Sequence, residues 1–295
     1  MMDIAFVILN YNIVKETIDC INSIIKNIDT EKYMIIVVDN GSNINIYRDL
    51  VRSFTYNERL IFVRNDSNLG FARGNNVGID IARKKGARFV CCLNNDTVLN
   101  MKDFFSVIQL KYIQSEAALI GPKIILKNGL EQHRNGKLLP ISEYRLLLES
   151  FDNNHGRSRI DKLKRIKFVR SFYDKYLANL RKDRSKYYEE TQDVILHGCC
   201  LIFTPVFFTK LRGFNPETFL YMEEELLFAT LIVNGLHSLY TPDLEIYHLE
   251  DVSTNKAIKT ETEKYAFIRA HTKDSLKILI SYLESHPDIY NNENA

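Results

Sequence analysis

The chain has 295 residues, 45% of them hydrophobic and 26% charged, with a net charge of +2 at neutral pH. These are globular proportions, long enough to bury a core without staples, and they exclude disordered, collagenous and disulfide-stapled classes. The longest apolar run, "GCCLIFTPVFF", is about half a membrane span and contains Pro205, so no membrane-crossing helix is expected.

In chain order, "IAFVIL" is a short apolar run ending at Asn10, and "VKETIDCINSIIK" follows with helical spacing. "MIIVV" is a second run, ending at Asp39; a helical piece near "IYRDLVRSF" leads to "LIFVR", which ends near Asn65. "FARGNNVGIDIARKK" is again helical, and "RFVCCL" ends at Asn94. Continuous β-branched runs predict strands covered on both faces, and their alternation with helices predicts βαβ units in a parallel sheet. Right-handed crossovers then bring the carboxyl ends of the strands to one edge, where ligands bind in open α/β sheets. Asn10, Tyr11, Asp39, Asn94, Asn95 and Asp96 should share that edge.

After "GPKIIL" the texture changes. Residues 130–193 are highly charged with few strand signals, and are expected to be a mainly helical insertion between residues 1–129 and 194–295. From Arg157 to Lys186 twelve Lys and Arg stand against three Asp, so that segment carries +9 and the remainder about −7. Leu163, Ile166, Val169, Tyr173, Leu177 and Leu180 recur three or four apart, the pattern of an amphipathic helix with a basic face. Such a helix is either packed with a solvated face or lies on an anionic membrane surface. Apolar residues return in "VILHGCCLIFTPVFF", "TFLYMEEELLFATLIVN" and "SLYTPDLEIYHLEDVS", and a helix from roughly 256 to 283 closes the chain.

Five cysteines, at 20, 91, 92, 199 and 200, show no zinc spacing and lie mostly in apolar runs. Buried, reduced thiols fit a cytoplasmic location. The segment "MMDIAFVILN" is too short in its apolar part for a signal peptide, with Asp3 where basic residues are wanted.

Neither GxxxxGK[ST] nor GxGxxG is present, which argues against a P-loop or a dinucleotide site. Gly70, Gly74 and Gly78, four apart, give a helix a smooth face for close packing; alternatively Arg73 and Asn76 lie near a phosphate at the helix start. Asp39 in "VVDNGS" is either turn chemistry or an acceptor for a base N–H or a ribose hydroxyl. Asp96 is a hard oxygen donor suited to Mg²⁺ or Mn²⁺ carrying a diphosphate. His248 ends an apolar run, as a structural residue or a ligand. Glu223, Glu224 and Glu225 either complement a helix dipole or supply a base whose pKa crowding has raised.

Together, "VILNYN", "VVDNGS", "NLGFARGNNVGI", "LNNDT", "GPKI" and "GCCLIF…GFNPETFLYMEEELL…GLHSLYTPDLEIYH" resemble the family-two glycosyltransferases, inverting enzymes with the nucleotide-diphospho-sugar transferase (A-type) fold. The resemblance spans about residues 3–125 and 194–275, and is nearest to bacterial rhamnosyltransferase-type members that build surface polysaccharides. It implies a mostly parallel central sheet flanked by helices. Tyr11 and Asp39 would hold base and ribose, Asn95 and Asp96 would occupy the DxD position, and Asp96 and His248 would hold Mn²⁺ or Mg²⁺. The acidic pair falls on Glu223 and Glu224, with Glu224 the base. The partners implied are a nucleoside-diphosphate sugar and a glycan or lipid-linked acceptor; no nucleic acid is expected, and residues 157–186, on the membrane-surface reading above, would lie on an anionic inner leaflet. The motif departs in two places: the DxD is reduced to Asn-Asn-Asp, and Leu226 stands where a further Asp is common.

Two other functions were weighed on the residues. A sugar-nucleotide-forming nucleotidyltransferase would want a Gly- and Lys-rich loop where "NYNIVKET" stands. A nucleic-acid-binding module could use the basic segment, but no binding motif accompanies it.

Overall fold

The computed structural model describes residues 2–132, 136–152, 188–249 and 261–291. The predicted basic helix at 157–186 lies outside the described residues. The strands are β1 (Met2–Asn10), β2 (Tyr33–Asp39), β3 (Leu60–Arg64), β4 (Ala87–Asn94), β5 (Thr97–Val98), β6 (Leu119–Leu126), β7 (Glu131–Gln132), β8 (Thr191–Gln192), β9 (Cys200–Phe203) and β10 (Ser238–His248). The helices are α1 (Lys15–Asn27), α2 (Ile44–Arg52), α3 (Gly70–Lys84), α4 (Phe104–Ser115), α5 (Ile141–Asp152), α6 (Phe207–Lys210), α7 (Glu223–Val233) and α8 (Glu261–Ser285).

One sheet organises the molecule, in the order β3-β2-β1-β4-β9-β6-β10-β5. β3, β2, β1 and β4 are parallel, as the apolar runs predict. β9 runs antiparallel between β4 and β6, while β10 is parallel to β6 and antiparallel to β5. Strands from both outer parts of the sequence therefore interleave in one sheet. Because β9 is reversed, its start lies at the same edge as the carboxyl ends of β1, β2, β4 and β10.

The two faces of β1 show why the run is wholly apolar. Ile4, Phe6 and Ile8 pack with Cys20, Ile21 and Ile24 of α1 and Phe104 of α4 on one side. Ala5 and Val7 pack with Ala72 and Ile79 of α3 and with Leu227 and Leu231 of α7 on the other. The period of two along the strand places both sets in a core. A third cluster joins α5, α7 and α8 through Leu147, Leu226, Leu276 and Leu279.

The glycine face of α3 does the close packing expected of it. A Cβ on Gly74 would stand 2.6 Å from Leu9 Cδ1, and one on Gly78 would stand 2.2 Å from Val7 Cγ1. Gly70 has φ +82° and lies against the Phe219 backbone. Among the described residues no helix is long and apolar enough to cross a membrane.

Candidate functional site

Strand pairing brings Asp96 to His248. β5 turns back from β4 and pairs with β10, with Thr97 opposite His248. The preceding carboxylate, only 5% exposed, then has Oδ1 3.3 Å from His248 Nε2. The other ring nitrogen, Nδ1, lies 2.9 Å from Gln132 Oε1. The Leu249 N–H donates to the Asp96 carbonyl oxygen and fixes the chain just past His248.

The carboxyl ends of β1 and β2 are joined by a buried polar network. Asn10 Nδ2 donates to Asp39 Oδ1, and Asn10 Oδ1 accepts from both Thr17 Oγ1 and Asn95 Nδ2. Asp39 Oδ2 accepts the Ser42 N–H at 3.1 Å and has Arg64 Nε at 3.7 Å. Asn10 and Asp39 are fully buried and Asn95 is 6% exposed. Buried polar groups of this kind are costly unless satisfied, so the network rigidifies the edge. Asn10 and Asn95, expected to reach a ligand, bond α1 and Asp39 to the sheet. Asn94 differs: it is half-buried, and its carboxamide has no hydrogen-bond partner among the described residues.

Tyr11 is half-buried on the loop after β1, and the next residue, Asn12 (φ +56°), donates its N–H to Ser42 Oγ. That bond ties the Tyr11 loop to the Asp39 turn. Tyr47 of α2 also belongs to this end: burial and then the Asp39 carboxylate push its phenol upward, partly offset by Arg64.

A phosphate is one expectation for the start of α3, where two amides have protein acceptors. Asn68 Oδ1 accepts the Gly70 N–H, and the Phe219 carbonyl accepts the Phe71 N–H. Two of the first amides of α3 are thus satisfied within the protein. Arg73 Nε donates to the Pro216 carbonyl, and the Asn76 amide donates to and accepts from the Phe214 backbone. These two side chains clip α3 to the loop leading to α7.

That loop ends in two consecutive left-handed residues, Tyr221 (φ +72°) and Met222 (φ +62°). Such backbone costs about 1–3 kcal/mol per residue and persists where surrounding contacts impose it, often at functional sites. Directly after it, Glu223 and Glu225 are buried at 6% and 1% exposure, while Glu224 is half-buried. Glu224 Oε1 accepts the Gly198 N–H at 2.8 Å, which holds it beside the start of β9. Asn94 N–H donates to the Cys199 carbonyl, linking the start of β9 to the end of β4. The Cys199 thiol is pushed well up, first by burial, then by Cys200, Asp96 and Glu224.

His197 was not singled out from the sequence. Its Nδ1 accepts the Cys199 N–H at 3.1 Å, and its ring stands edge-on to His248 with centroids 5.8 Å apart. Only the long-range pairing of β9 places it there. Among the described residues, no group of three or more His, Cys, Asp or Glu is placed to hold a metal ion. One carboxylate and one imidazole are nonetheless a donor set that Mn²⁺ or Mg²⁺ accepts when a ligand's oxygens complete the sphere.

The family model for glycosyl transferase family 2 matches residues 5–183, more than half of the chain. The chain belongs to glycosyl transferase family 2. No curated protein matches it by sequence. Among solved structures, GalNAc-T7 with UDP, GalNAc and Mn²⁺ is similar at a TM-score of 0.57 and 14% identity, over 100% of this chain and 52% of that one. S. aureus TarS 1-349 is similar at a TM-score of 0.53 and 14% identity, over 97% of this chain and 73% of that one. The chain therefore spans about half the length of the GalNAc-T7 chain. At such identities the likeness shows the fold, and the fold is the A-type arrangement expected of a family-two glycosyltransferase.

Proposed function

We propose that this family-two glycosyltransferase moves a sugar from a nucleoside-diphosphate donor to an acceptor hydroxyl with inversion at the anomeric carbon. Asp39, Tyr11 and Asn94 bind the donor's nucleoside and sugar. Asp96 and His248 hold Mn²⁺ or Mg²⁺, which when bound neutralises charge on the diphosphate as a Lewis acid. Glu224 takes the acceptor proton, and the rigid edge holds both substrates in line.

The observation that carries the reading is the convergence of Asp96, His248 and Glu224 on one sheet edge, with Glu224 fixed by Gly198 N–H. Glu223, buried beside the strained turn, supports the base rather than acting as it. The GalNAc-T7 structure, which holds UDP and Mn²⁺, lends support to a similar donor class here. A UDP- or dTDP-linked sugar, rhamnose among them, and a glycan or lipid-linked acceptor in bacterial surface polysaccharide synthesis follow from the sequence resemblance. A cytoplasmic chain with residues 157–186 on the inner leaflet would meet such an acceptor.

The test is a thermal-shift series with UDP, dTDP, GDP and ADP, each with and without Mn²⁺. A bound nucleotide stabilises by mass action, about 2.7 kcal/mol at a hundredfold excess over Kd. At least one diphosphate should raise Tm in a Mn²⁺-dependent way, and Asp96→Ala should remove the Mn²⁺-dependent part. No shift with any nucleotide, or a full shift in Asp96→Ala, contradicts the reading.

A further inference from the structure

Gln132 belongs to no motif in the sequence, yet its side chain bonds one of the two residues assigned to the metal. It sits on β7, a two-residue strand that returns on β6 after a tight turn. The turn is set by Gly129 (φ +77°) and closed by Leu126 N–H donating to the Leu130 carbonyl. β7 pairs with β6 so that Gln132 lies opposite Ile124. β10 pairs with the other edge of β6, with His248 opposite Leu126. The two side chains meet across β6, Gln132 Oε1 lying 2.9 Å from His248 Nδ1.

We propose that Gln132 is a positioning residue for the metal pair: it accepts the Nδ1–H of His248 and so keeps the Nε2 lone pair facing Asp96. The proposal rests on the reading of Asp96 and His248 as cation ligands. A neutral imidazole carries one N–H, and an amide oxygen can only accept. A separation of 2.9 Å is ordinary for N–H···O. On the other side, Nε2 and Asp96 Oδ1 are 3.3 Å apart. That exceeds the roughly 2.7–2.9 Å of a charge-assisted N–H···O⁻ bond. The distances therefore put the proton on Nδ1 and leave two acceptor atoms facing each other, an arrangement that a shared cation satisfies.

Without Gln132 the balance changes. Of the two acceptors beside the ring only the Asp96 carboxylate then remains, so the proton moves to Nε2 and bonds it. Both donor atoms are then occupied by each other, and a cation must displace that proton to bind. Partners of this kind, acting one step behind the ligands, are typically worth about 10–100-fold in metal affinity.

The experiment compares the parent with Gln132→Leu and Gln132→Glu, the whole chain in each case. The His248 tautomer is measured in metal-free protein at pH 8 from ¹⁵N ring shifts, and Mn²⁺ affinity by titration calorimetry. The parent should carry its proton on Nδ1. Gln132→Leu should move it to Nε2 and weaken Mn²⁺ by roughly 10–100-fold. Gln132→Glu keeps an acceptor, so it should restore the parental tautomer and much of the affinity; Gln132→Ala serves should the leucine variant fail to fold. A parent with its proton on Nε2, or parental affinity in Gln132→Leu, overturns the assignment of Gln132 and leaves the ligands in place. A parent that binds no Mn²⁺ overturns the cation reading itself, and the role of Gln132 with it.

Discussion

Glu224 is flanked by two other glutamates, and what separates the three is the direction each takes from the start of α7. Successive residues on a helix lie about 100° apart, so three in a row cannot face the same cleft. Glu223 and Glu225 are buried, whereas Glu224 is half-buried and accepts the Gly198 N–H. Replacing it by Gln keeps size but removes the proton acceptor. Glu224→Gln should lower transfer by roughly 10²–10⁴-fold, in kcat more than in donor KM, while Mn²⁺ and donor binding persist. Near-parental turnover in Glu224→Gln, measured with saturating donor, would move the base to another residue. Asp39 and Asn94 were legible in the sequence because each ends an apolar run, with Asp96 two residues beyond, and a buried strand that stops on a polar side chain names its own edge. Gln132 and His197 were not legible. Their positions depend on a two-residue strand and on the reversed β9, neither of which leaves a periodic signal.

Among the elements, α3 shows most directly how sequence spacing becomes packing. Gly74 and Gly78 let the helix lie close on the Leu9 and Val7 side chains of β1, while Gly70 meets the Phe219 backbone. Replacing Gly78 by Ala sets two effects against each other. Alanine favours a helix interior by about 0.8–1.0 kcal/mol over glycine. The new methyl group would stand 2.2 Å from Val7 Cγ1 and 3.1 Å from Val38 Cγ2, both in fully buried β-branched side chains. Overpacking of that kind costs about 1–3 kcal/mol, so the clash should win. Gly78→Ala is expected to lower stability by up to about 2 kcal/mol net in denaturant unfolding; a raised midpoint would show that the helix can move away from the sheet. Arg73 and Asn76 lie near a helix start, where Asn68 and Phe219 accept the N–H groups of Gly70 and Phe71. The Phe219 acceptor comes from a loop about 150 residues away in sequence, which no local pattern announces.

At the scale of the whole molecule, the parallel half was predictable and the completion of the sheet was not. Apolar runs separated by amphipathic helices specify βαβ units. The run "CLIF" carries no mark of direction, and its antiparallel insertion between β4 and β6 is what brings Gly198, and through it Glu224, to the edge that holds Asp96. The site is thus assembled from the ends of strands that follow the parallel rule and the start of one that breaks it. The central claim is that this edge carries out single-displacement transfer with Glu224 as base. The most direct measurement is time-resolved ¹H NMR of the anomeric proton, with the donor identified by thermal shift, Mn²⁺ and an acceptor hydroxyl. An α-linked donor should give a first-formed product with β configuration, and Glu224→Gln should abolish its formation. A product that keeps the α configuration, or an inverted product formed at parental rate by Glu224→Gln, would contradict the account.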